Sequence, residues 1–286
     1  MRFFVCVLCS AWCVGICMRY GYCANLNFML TDDPRGRKIF EGVLAAGYDY
    51  LETQLTSLLN FSPPQYAEIK SRLSDTGVPC RVNMLLFPGD MPLVGNDRNL
   101  GAMLEHVKRV LPIAADLGSE LIVFGHGGTR CLTDGLSHET VRRQIIDALQ
   151  MINPLAASYN LKIAIEPFCS KETDMITSFD EAVSIARECG HATGALLDLY
   201  HCITEGQSPN DITKAPDKLF HLHIAYPPTR TIPSENDDGA DYIAFADAVK
   251  SIGYNNTLSI EAAVPENADI SATIAGGLKK LRELFG

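Results

Sequence analysis

The sequence predicts a single-domain α/β protein with the architecture of a closed (β/α)8 TIM barrel. Short apolar or β-branched runs alternate with longer amphipathic segments from Met18 to the C-terminus, and eight runs can be counted. Strict alternation favours parallel strands with right-handed crossovers, and eight such units close into a barrel. The length of 286 residues also suits one barrel domain.

Eight segments are predicted as strands because each is a short apolar or β-branched run bounded by turn-forming residues. An open, doubly wound sheet is the alternative. It is disfavoured because no Gly-x-Gly-x-x-Gly or Walker loop follows the first run. The predicted strands are 19–26, 48–54, 79–86, 120–125, 161–167, 194–199, 219–225 and 257–263.

The helices are predicted between these runs from apolar residues spaced three and four positions apart. The segment 97–118 has the clearest apolar face and ends at a glycine. Ser178 and Glu181 form a capping-box pattern at the start of a helix over 179–189. Further helices are predicted over 37–46, 63–73, 138–158, 241–253 and 267–284.

The composition is typical of a globular protein with a large core, since 47% of residues are hydrophobic and 20% are charged. The net charge is −10, and basic residues cluster no further than the pairs Arg142-Arg143 and Lys279-Lys280. A phosphate backbone would be repelled on average, so no nucleic-acid partner is expected. No membrane partner is expected either, because the longest apolar stretch is short of the roughly 20 residues of a span.

The first 17 residues differ from the rest of the chain. The segment 3–18 carries no charge and contains Trp12, the only tryptophan. Two interpretations are open: a secretory signal or leader, or translation that begins at Met18. The second is favoured because the cysteines beyond Cys23 lie singly in apolar segments, as reduced thiols do in cytoplasmic proteins. We therefore expect a cytoplasmic barrel over 18–286.

The last four predicted strands each carry a metal-capable side chain at their C-terminal end: Glu166, Asp198, His223 and Glu261. The C-terminal ends of parallel strands share one face, so these four side chains can converge. Taken singly, each can be a loop carboxylate, a helix cap or a core histidine. Burying three carboxylates together is costly without a cation, so the joint pattern favours one divalent ion. The donor set suits Mn²⁺ first, then Mg²⁺, with Co²⁺ or Zn²⁺ as alternatives.

Five segments of the chain resemble the xylose isomerase-like barrels, and within them the sugar phosphate isomerases/epimerases related to ketose 3-epimerases and hydroxypyruvate isomerases. The resemblance runs from about Met18 to the C-terminus. It implies a metal-dependent isomerase or epimerase acting on a small sugar, keto-sugar or hydroxy-keto acid. The segments are VFGHGGTR (123–130), IEPFCSKET (165–173), LLDLYH (196–201), HLHIAYPPTR (221–230) and LSIEA (258–262).

The resemblance also implies roles for individual residues. The four metal-capable residues would hold the ion, and Glu166 and Glu261 would also act as acid and base on opposite sides of the substrate carbon. His201 would contact a substrate hydroxyl, and Glu172 would add a second polar contact. Arg230 would grip a substrate oxygen, although two prolines precede it and its spacing is a residue longer than in the sugar epimerases.

Other polar residues near predicted strand ends have two interpretations each. Glu52 is either a substrate contact or a solvated loop acid. His126 lies in a glycine loop that, with Arg130, either binds a phosphate or carboxylate or simply makes a tight turn. His221 is expected to orient a neighbour from behind the site. Surface positions are expected for His106, His138 and His191.

The implied chemistry is proton transfer next to a carbonyl. A divalent ion would stabilise a cis-enediolate while one glutamate removes the carbon-bound proton. Return of the proton to the neighbouring carbon gives an isomerase, and delivery from the opposite face gives an epimerase. The sequence does not separate these outcomes, nor phosphorylated from unphosphorylated substrates, nor a monomer from a homo-oligomer.

Three other functions are alternatives to this one. A metal-dependent lyase, dehydratase or hydrolase would use the same ion on a related keto-sugar. An apurinic-site endonuclease relative would need more histidines and a basic groove, which the seven histidines and the −10 charge disfavour. A non-catalytic sugar-binding barrel would be favoured if a ligand were missing, and all four are present.

Overall fold

A computed structural model of the chain describes residues 18–133 and 135–286. Within this part, eight parallel strands, β1 to β8, are paired in chain order, and β8 closes onto β1. The predicted single-domain (β/α)8 barrel is therefore confirmed. The two interpretations of residues 1–17 fall outside the described residues.

All the strands except the sixth are shorter than the predicted apolar runs, since several runs continue into the loop beyond the hydrogen-bonded ladder. The third strand is the shortest because Leu85 adopts a positive φ of 56°, which ends the extended conformation. The bounds are β1 Arg19–Cys23, β2 Tyr50–Gln54, β3 Val82–Met84, β4 Leu121–Phe124, β5 Lys162–Ile165, β6 Thr193–Asp198, β7 Leu219–Ile224 and β8 Thr257–Ile260.

The predicted helices form, but one connection differs from strict alternation. Between β6 and β7 the chain makes a six-residue helix and two 3-10 turns that begin at Pro209 and Pro216. A short helix also follows β2. The bounds are α1 Pro34–Ala46, α2 Leu55–Leu58, α3 Pro63–Thr76, α4 Leu100–Asp116, α5 His138–Ser158, α6 Phe179–Cys189, α7 Leu199–Thr204, α8 Ala240–Ser251 and α9 Ile270–Phe285.

The barrel interior has an apolar side and a polar side. Alternate residues of a strand point inward, and β2 to β6 fill the interior with apolar side chains. Gly21 leaves the space that the Tyr50 ring occupies, since a Cβ there would overlap the ring. The polar side is formed by β7, β8 and the end of β2. The apolar side comprises Tyr50, Val82, Met84, Leu121, Val123, Ala164 and Leu196.

One expectation about the helices is wrong. His106 was expected at the surface, but it lies on the inner face of α4 with 7% of its area exposed. Its Nε2 lies 2.9 Å from the Leu86 carbonyl oxygen, and its ring packs on Phe87. His138 and His191 are exposed, as expected. No helix in the described ranges is both long and apolar enough for a bilayer span.

Candidate active site

The four predicted ligands lie together at the C-terminal mouth of the barrel. Asp198 and His223 pair across β6 and β7, and Glu166 and Glu261 directly follow β5 and β8. One donor atom from each residue lies within 4.8 Å of those of the other three. Glu166, Asp198 and His223 are buried, whereas the Glu261 side chain is 22% exposed. The group therefore opens toward solvent on the Glu261 side.

Asp198 shows that this group fits a cation. Its Oδ1 accepts a hydrogen bond from the Tyr200 backbone N–H at 2.7 Å and caps α7. Its Oδ2 is buried without a hydrogen-bond partner among the described residues, which is costly for a carboxylate oxygen. Burial and the Glu261 charge raise the pKa of Asp198 to about 8. A hard divalent ion among these oxygens would relieve both penalties.

The two candidate proton-transfer groups differ in their electrostatic surroundings. Burial, and then the Glu261 charge, raise the pKa of Glu166. Burial opposes ionisation of Glu261, but His223 and Arg230 outweigh it and lower the pKa of this carboxyl to about 2. Two carboxyl groups whose pKa values are pushed apart in one site are typical of an acid and base pair.

Gly125 makes room for the Glu166 carboxylate. The glycine directly follows β4, and a Cβ on it would overlap Glu166 Oε2. The Glu166 backbone N–H donates to the Phe124 carbonyl oxygen at 3.2 Å, which continues the ladder between β4 and β5. The glycine of the VFG segment is thus part of the geometry of the site.

Arg230 reaches the site despite the two prolines before it. Its Nη2 donates to Glu261 Oε2 at 3.0 Å, and its Nη1 donates to Glu172 Oε1 at 3.1 Å. The guanidinium also lies over the Tyr200 ring. Its backbone has a positive φ of 52°, and its N–H donates to the Tyr226 carbonyl at 2.8 Å. A strained conformation of this kind is common at functional sites. Glu172 is half-exposed and meets the site through Arg230.

His201 is buried between the ligands and the loop after β5. Its Nδ1 accepts a hydrogen bond from the Cys169 backbone N–H at 3.2 Å, and its Nε2 lies 3.3 Å from Arg230 Nη2. That Nε2 lies 3.7 Å from Asp198 Oδ2. Burial and Arg230 lower the pKa of His201 to about 3, which keeps the ring neutral. His201 therefore lies at the site as a neutral ring with Arg230 beside its Nε2.

Glu52 is not a solvated loop acid, and that interpretation is wrong. Its side chain is fully buried, and its two oxygens lie 3.0 Å from His223 Nε2 and 3.0 Å from His221 Nε2. Burial opposes its charge, but the two histidines hold the pKa of Glu52 well below its usual range. Glu52 therefore lies behind His223 instead of at the mouth, where a substrate contact would require it.

The glycine loop after β4 makes a tight turn, and Arg130 is not an anion ligand. Residues Gly127–Thr129 form a 3-10 turn, and the His126 ring packs against Gly89. Arg130 is fully buried between the rings of Phe124 and Phe168. It donates to the carbonyl oxygens of Phe124 and Glu166, and burial lowers its pKa to about 10. The Arg130 guanidinium therefore joins the ends of β4 and β5 and has no access to solvent.

A pocket of about 320 Å³ adjoins the site. It lies beside Glu261 and Arg230 and is bounded by the ends of β1, β2 and β3. Small or apolar side chains dominate it, and Arg230 is the one cation among the described residues that line it. The remaining lining residues are Cys23, Ala24, Asn25, Gln54, Met84, Thr229, Ala262 and Ala263.

The fold and site together define a class of protein: a (β/α)8 barrel in which consecutive strands β5 to β8 present three carboxylates and one histidine at the C-terminal mouth. The chain belongs to the xylose isomerase-like TIM barrel family, whose model matches residues 40–284. This assignment is in accord with the resemblance seen in the sequence segments.

One relative found by sequence and two solved structures are consistent with this family assignment. An inosose isomerase from Bacillus velezensis is 23% identical over 245 residues, which are 79% of this chain and 82% of the relative. A D-psicose 3-epimerase solved with D-fructose superposes with a TM-score of 0.79 at 18% identity, covering 94% of this chain and 100% of that chain. The IolI protein, solved with a zinc atom, has a TM-score of 0.71 at 19% identity, covering 93% and 98%.

Proposed function

We propose that this protein is a divalent-metal-dependent isomerase or epimerase of a small, uncharged keto-sugar or keto-polyol. The observation that carries the proposal is the placement of Glu166 and Glu261. They lie on strands separated by β6 and β7, they flank the same group of ligands, and their pKa values are shifted in opposite directions. The names of the relatives, inosose isomerase and D-psicose 3-epimerase, support the same class of reaction.

The side chains at the barrel mouth have separate roles in the proposed reaction. Glu166, Asp198, His223 and Glu261 would hold the ion, which supplies Lewis-acid polarisation of the substrate carbonyl. Glu261 is ionised and borders the pocket, so it removes the carbon-bound proton as general base. Glu166, on the other side of the ligand group, returns a proton. The neutral His201 ring, beside Arg230, contacts a substrate hydroxyl.

Three finer assignments belong to this proposal. Mn²⁺ is the resident ion that the oxygen-rich donor set favours. The substrate carries no phosphate, because Arg130 is buried and Arg230 is already engaged by Glu261 and Glu172. A cytoplasmic location is supported by the six free cysteines in the described part of the chain.

The test is proton exchange in D₂O, followed by NMR on a panel of ketoses, keto-polyols, keto-acids and their phosphates with Mn²⁺-loaded protein. We expect label incorporation and a new isomer with an unphosphorylated substrate. Glu166→Gln and Glu261→Gln should each lose the interconversion, and Glu261→Gln should lose the exchange as well. The exposed neighbour Glu266→Gln serves as a matched control and should retain both.

Two results would contradict the proposal. Wild-type exchange rates in Glu261→Gln would remove this residue from the role of base. A product that has lost water, or a cleaved product, would move the protein to the lyases while leaving the metal site intact.

A further inference from the structure

We propose that Glu52 is a positioning residue for the metal site, held in place by His221 and Thr257, and that it fixes the His223 ring with its Nδ1 lone pair facing the ion. This inference rests on the metal site of the proposed function. It assigns a role to polar residues inside the barrel that lie behind the ligands.

The residues form one continuous chain of hydrogen bonds. His223 Nε2 lies 3.0 Å from Glu52 Oε1, and Glu52 Oε2 lies 3.0 Å from His221 Nε2. His221 Nδ1 lies 2.8 Å from the Thr257 hydroxyl oxygen. Glu52, His221 and His223 are fully buried. The chain crosses the barrel interior from β7 through β2 to the first residue of β8.

The direction of the central hydrogen bonds follows from the Glu52 carboxylate, which can only accept. Both the Thr257 hydroxyl oxygen, at 2.8 Å, and the Thr257 carbonyl oxygen, at 3.0 Å, lie beside His221 Nδ1, and the carbonyl also accepts from the Tyr254 hydroxyl. His221 Nε2 carries a proton and donates it to Glu52 Oε2 at 3.0 Å. The opposite tautomer would place a nitrogen lone pair 3.0 Å from a carboxylate oxygen, which is repulsive.

His223 lies between carboxylates on both sides: Nε2 is 3.0 Å from Glu52 Oε1, and Nδ1 is 3.1 Å from Glu166 Oε1 and 3.5 Å from Glu261 Oε2. An ion held by the ligand group would take the Nδ1 lone pair, and the ring proton would then stay on Nε2, donated to Glu52. A carboxylate behind a metal-bound histidine orients the ring and raises its basicity, and loss of such a partner typically costs 10–100-fold in metal affinity. Glu52 occupies that position here.

The decisive variant is Glu52→Gln. The glutamine amide has a single oxygen acceptor, so it cannot accept from both histidines, and its NH₂ group opposes one ring N–H. We expect the Kd for Mn²⁺, measured by titration calorimetry, to rise about 10–100-fold. Nitrogen NMR of the histidine rings in the Zn²⁺-loaded protein should show His223 protonated at Nε2 in the wild type and a mixed or reversed tautomer in the variant.

Thr257 provides a second, remote test. Thr257→Val removes the hydroxyl without touching the ligands, so we expect weaker Mn²⁺ binding and a changed His221 tautomer. Thr257→Ser keeps the hydroxyl and should behave as the wild type. A purely structural role would lower the melting temperature without moving the ring nitrogen signals.

The outcomes separate the two proposals. Folded Glu52→Gln protein that binds Mn²⁺ with the wild-type Kd would overturn the positioning role and leave the proposed function standing. If Glu52→Gln does not fold, unchanged Kd and unchanged tautomers in Thr257→Val overturn the role in the same way. Wild-type protein that binds no divalent ion would overturn both proposals.

Discussion

At the scale of single residues, Gly125 offers the most direct test of site geometry. Gly125→Ala places a methyl group where Glu166 Oε2 now lies, so the carboxylate must turn away from Asp198, His223 and Glu261. We expect Mn²⁺ affinity to fall by at least about tenfold, the scale of effect seen when metal ligands lose their orientation. Titration calorimetry measures the affinity, and circular dichroism should show an unchanged fold.

The control for this prediction is Gly128→Ala. Gly128 is exposed in the same loop, and a Cβ there would meet the His126 ring at an ordinary contact distance of 3.7 Å. Its affinity should equal that of the wild type. Equal losses in both variants would mean that the loop as a whole, and not the space for Glu166, controls the site.

His106 predicts a pH dependence of stability. Burial lowers the pKa of His106 in the folded protein, so the unfolded chain binds the proton more tightly. The stabilisation that neutral His106 contributes is therefore fully present above the unfolded pKa of about 6.5. It is lost as the pH falls from that value toward the lower pKa of the folded protein. His106→Leu should cost about 1 kcal/mol at pH 7.5, because the Leu86 carbonyl loses its donor.

Urea unfolding across the pH range isolates this effect. The difference in free energy of unfolding between the wild type and His106→Leu should shrink from pH 7.5 to pH 5. A difference that stays constant or grows on acidification would show that His106 is not held neutral by its surroundings.

The sequence predicts the metal-capable residues better than it predicts the residues that hold them in position. The four ligands lie within one residue of the C-terminal ends of their strands, so chain position alone brings them to one mouth of the barrel. Glu52, Arg130 and Gly125 act through contacts across the barrel or between adjacent strand ends, and the spacing along the chain carries no record of such contacts. The nearest signal was the pair His221 and His223, whose period of two places both rings inside the barrel.

At the scale of elements, Arg130 joins β4 to β5 by binding the carbonyl oxygens at both strand ends. Arg130→Met would leave the Glu166 carbonyl without this donor, at about 1–3 kcal/mol, whereas the Phe124 carbonyl would keep the bond from the Glu166 N–H. Lysine cannot replace the planar fork, so Arg130→Lys should also lose stability. Urea unfolding measures both variants. Arg143→Met, at a half-exposed arginine, should change stability by less than about 0.5 kcal/mol.

A neutral result at Arg130 would be informative. If Arg130→Met is as stable as the wild type, the cost of burying the guanidinium equals what its two hydrogen bonds and the flanking Phe124 and Phe168 rings contribute. The Arg130 bridge between β4 and β5 would then have no net effect on the free energy of unfolding, and its role would be to fix the position of Glu166.

Elements with strong local signals were predicted most closely. The helices over 138–158 and 179–189 match α5 and α6 residue for residue, since Ser137 and Ser178 cap their starts. The connection from β6 to β7 was not predicted, because Pro209 and Pro216 replace a long helix with 3-10 turns. Strand ends were predicted least well, since apolar side chains continue past the last ladder hydrogen bond.

At the scale of the whole molecule, the barrel is closed and symmetric in topology but not in chemistry. All four ligands lie at the C-terminal ends of β5 through β8, whereas β1 through β3 bound the pocket beside the site. A bound ion would therefore link strands β5 to β8 to one another. We expect Mn²⁺ to slow backbone hydrogen exchange most in β5 to β8 and least in β1 to β3, as measured by mass spectrometry of peptides.

Asp198→Asn separates the effect of the ion from that of the charge. In chelator, the variant should be at least as stable as the wild type, because it removes a buried carboxylate oxygen that has no donor, while the amide oxygen can still cap α7. With Mn²⁺ about a thousandfold above its Kd, the wild type should gain about 4 kcal/mol and the variant much less. The stability order of the two proteins should therefore reverse when the ion is added. Thermal unfolding of both proteins, with and without chelator, measures this reversal, and the same stability order in both conditions would mean that Asp198 holds no ion.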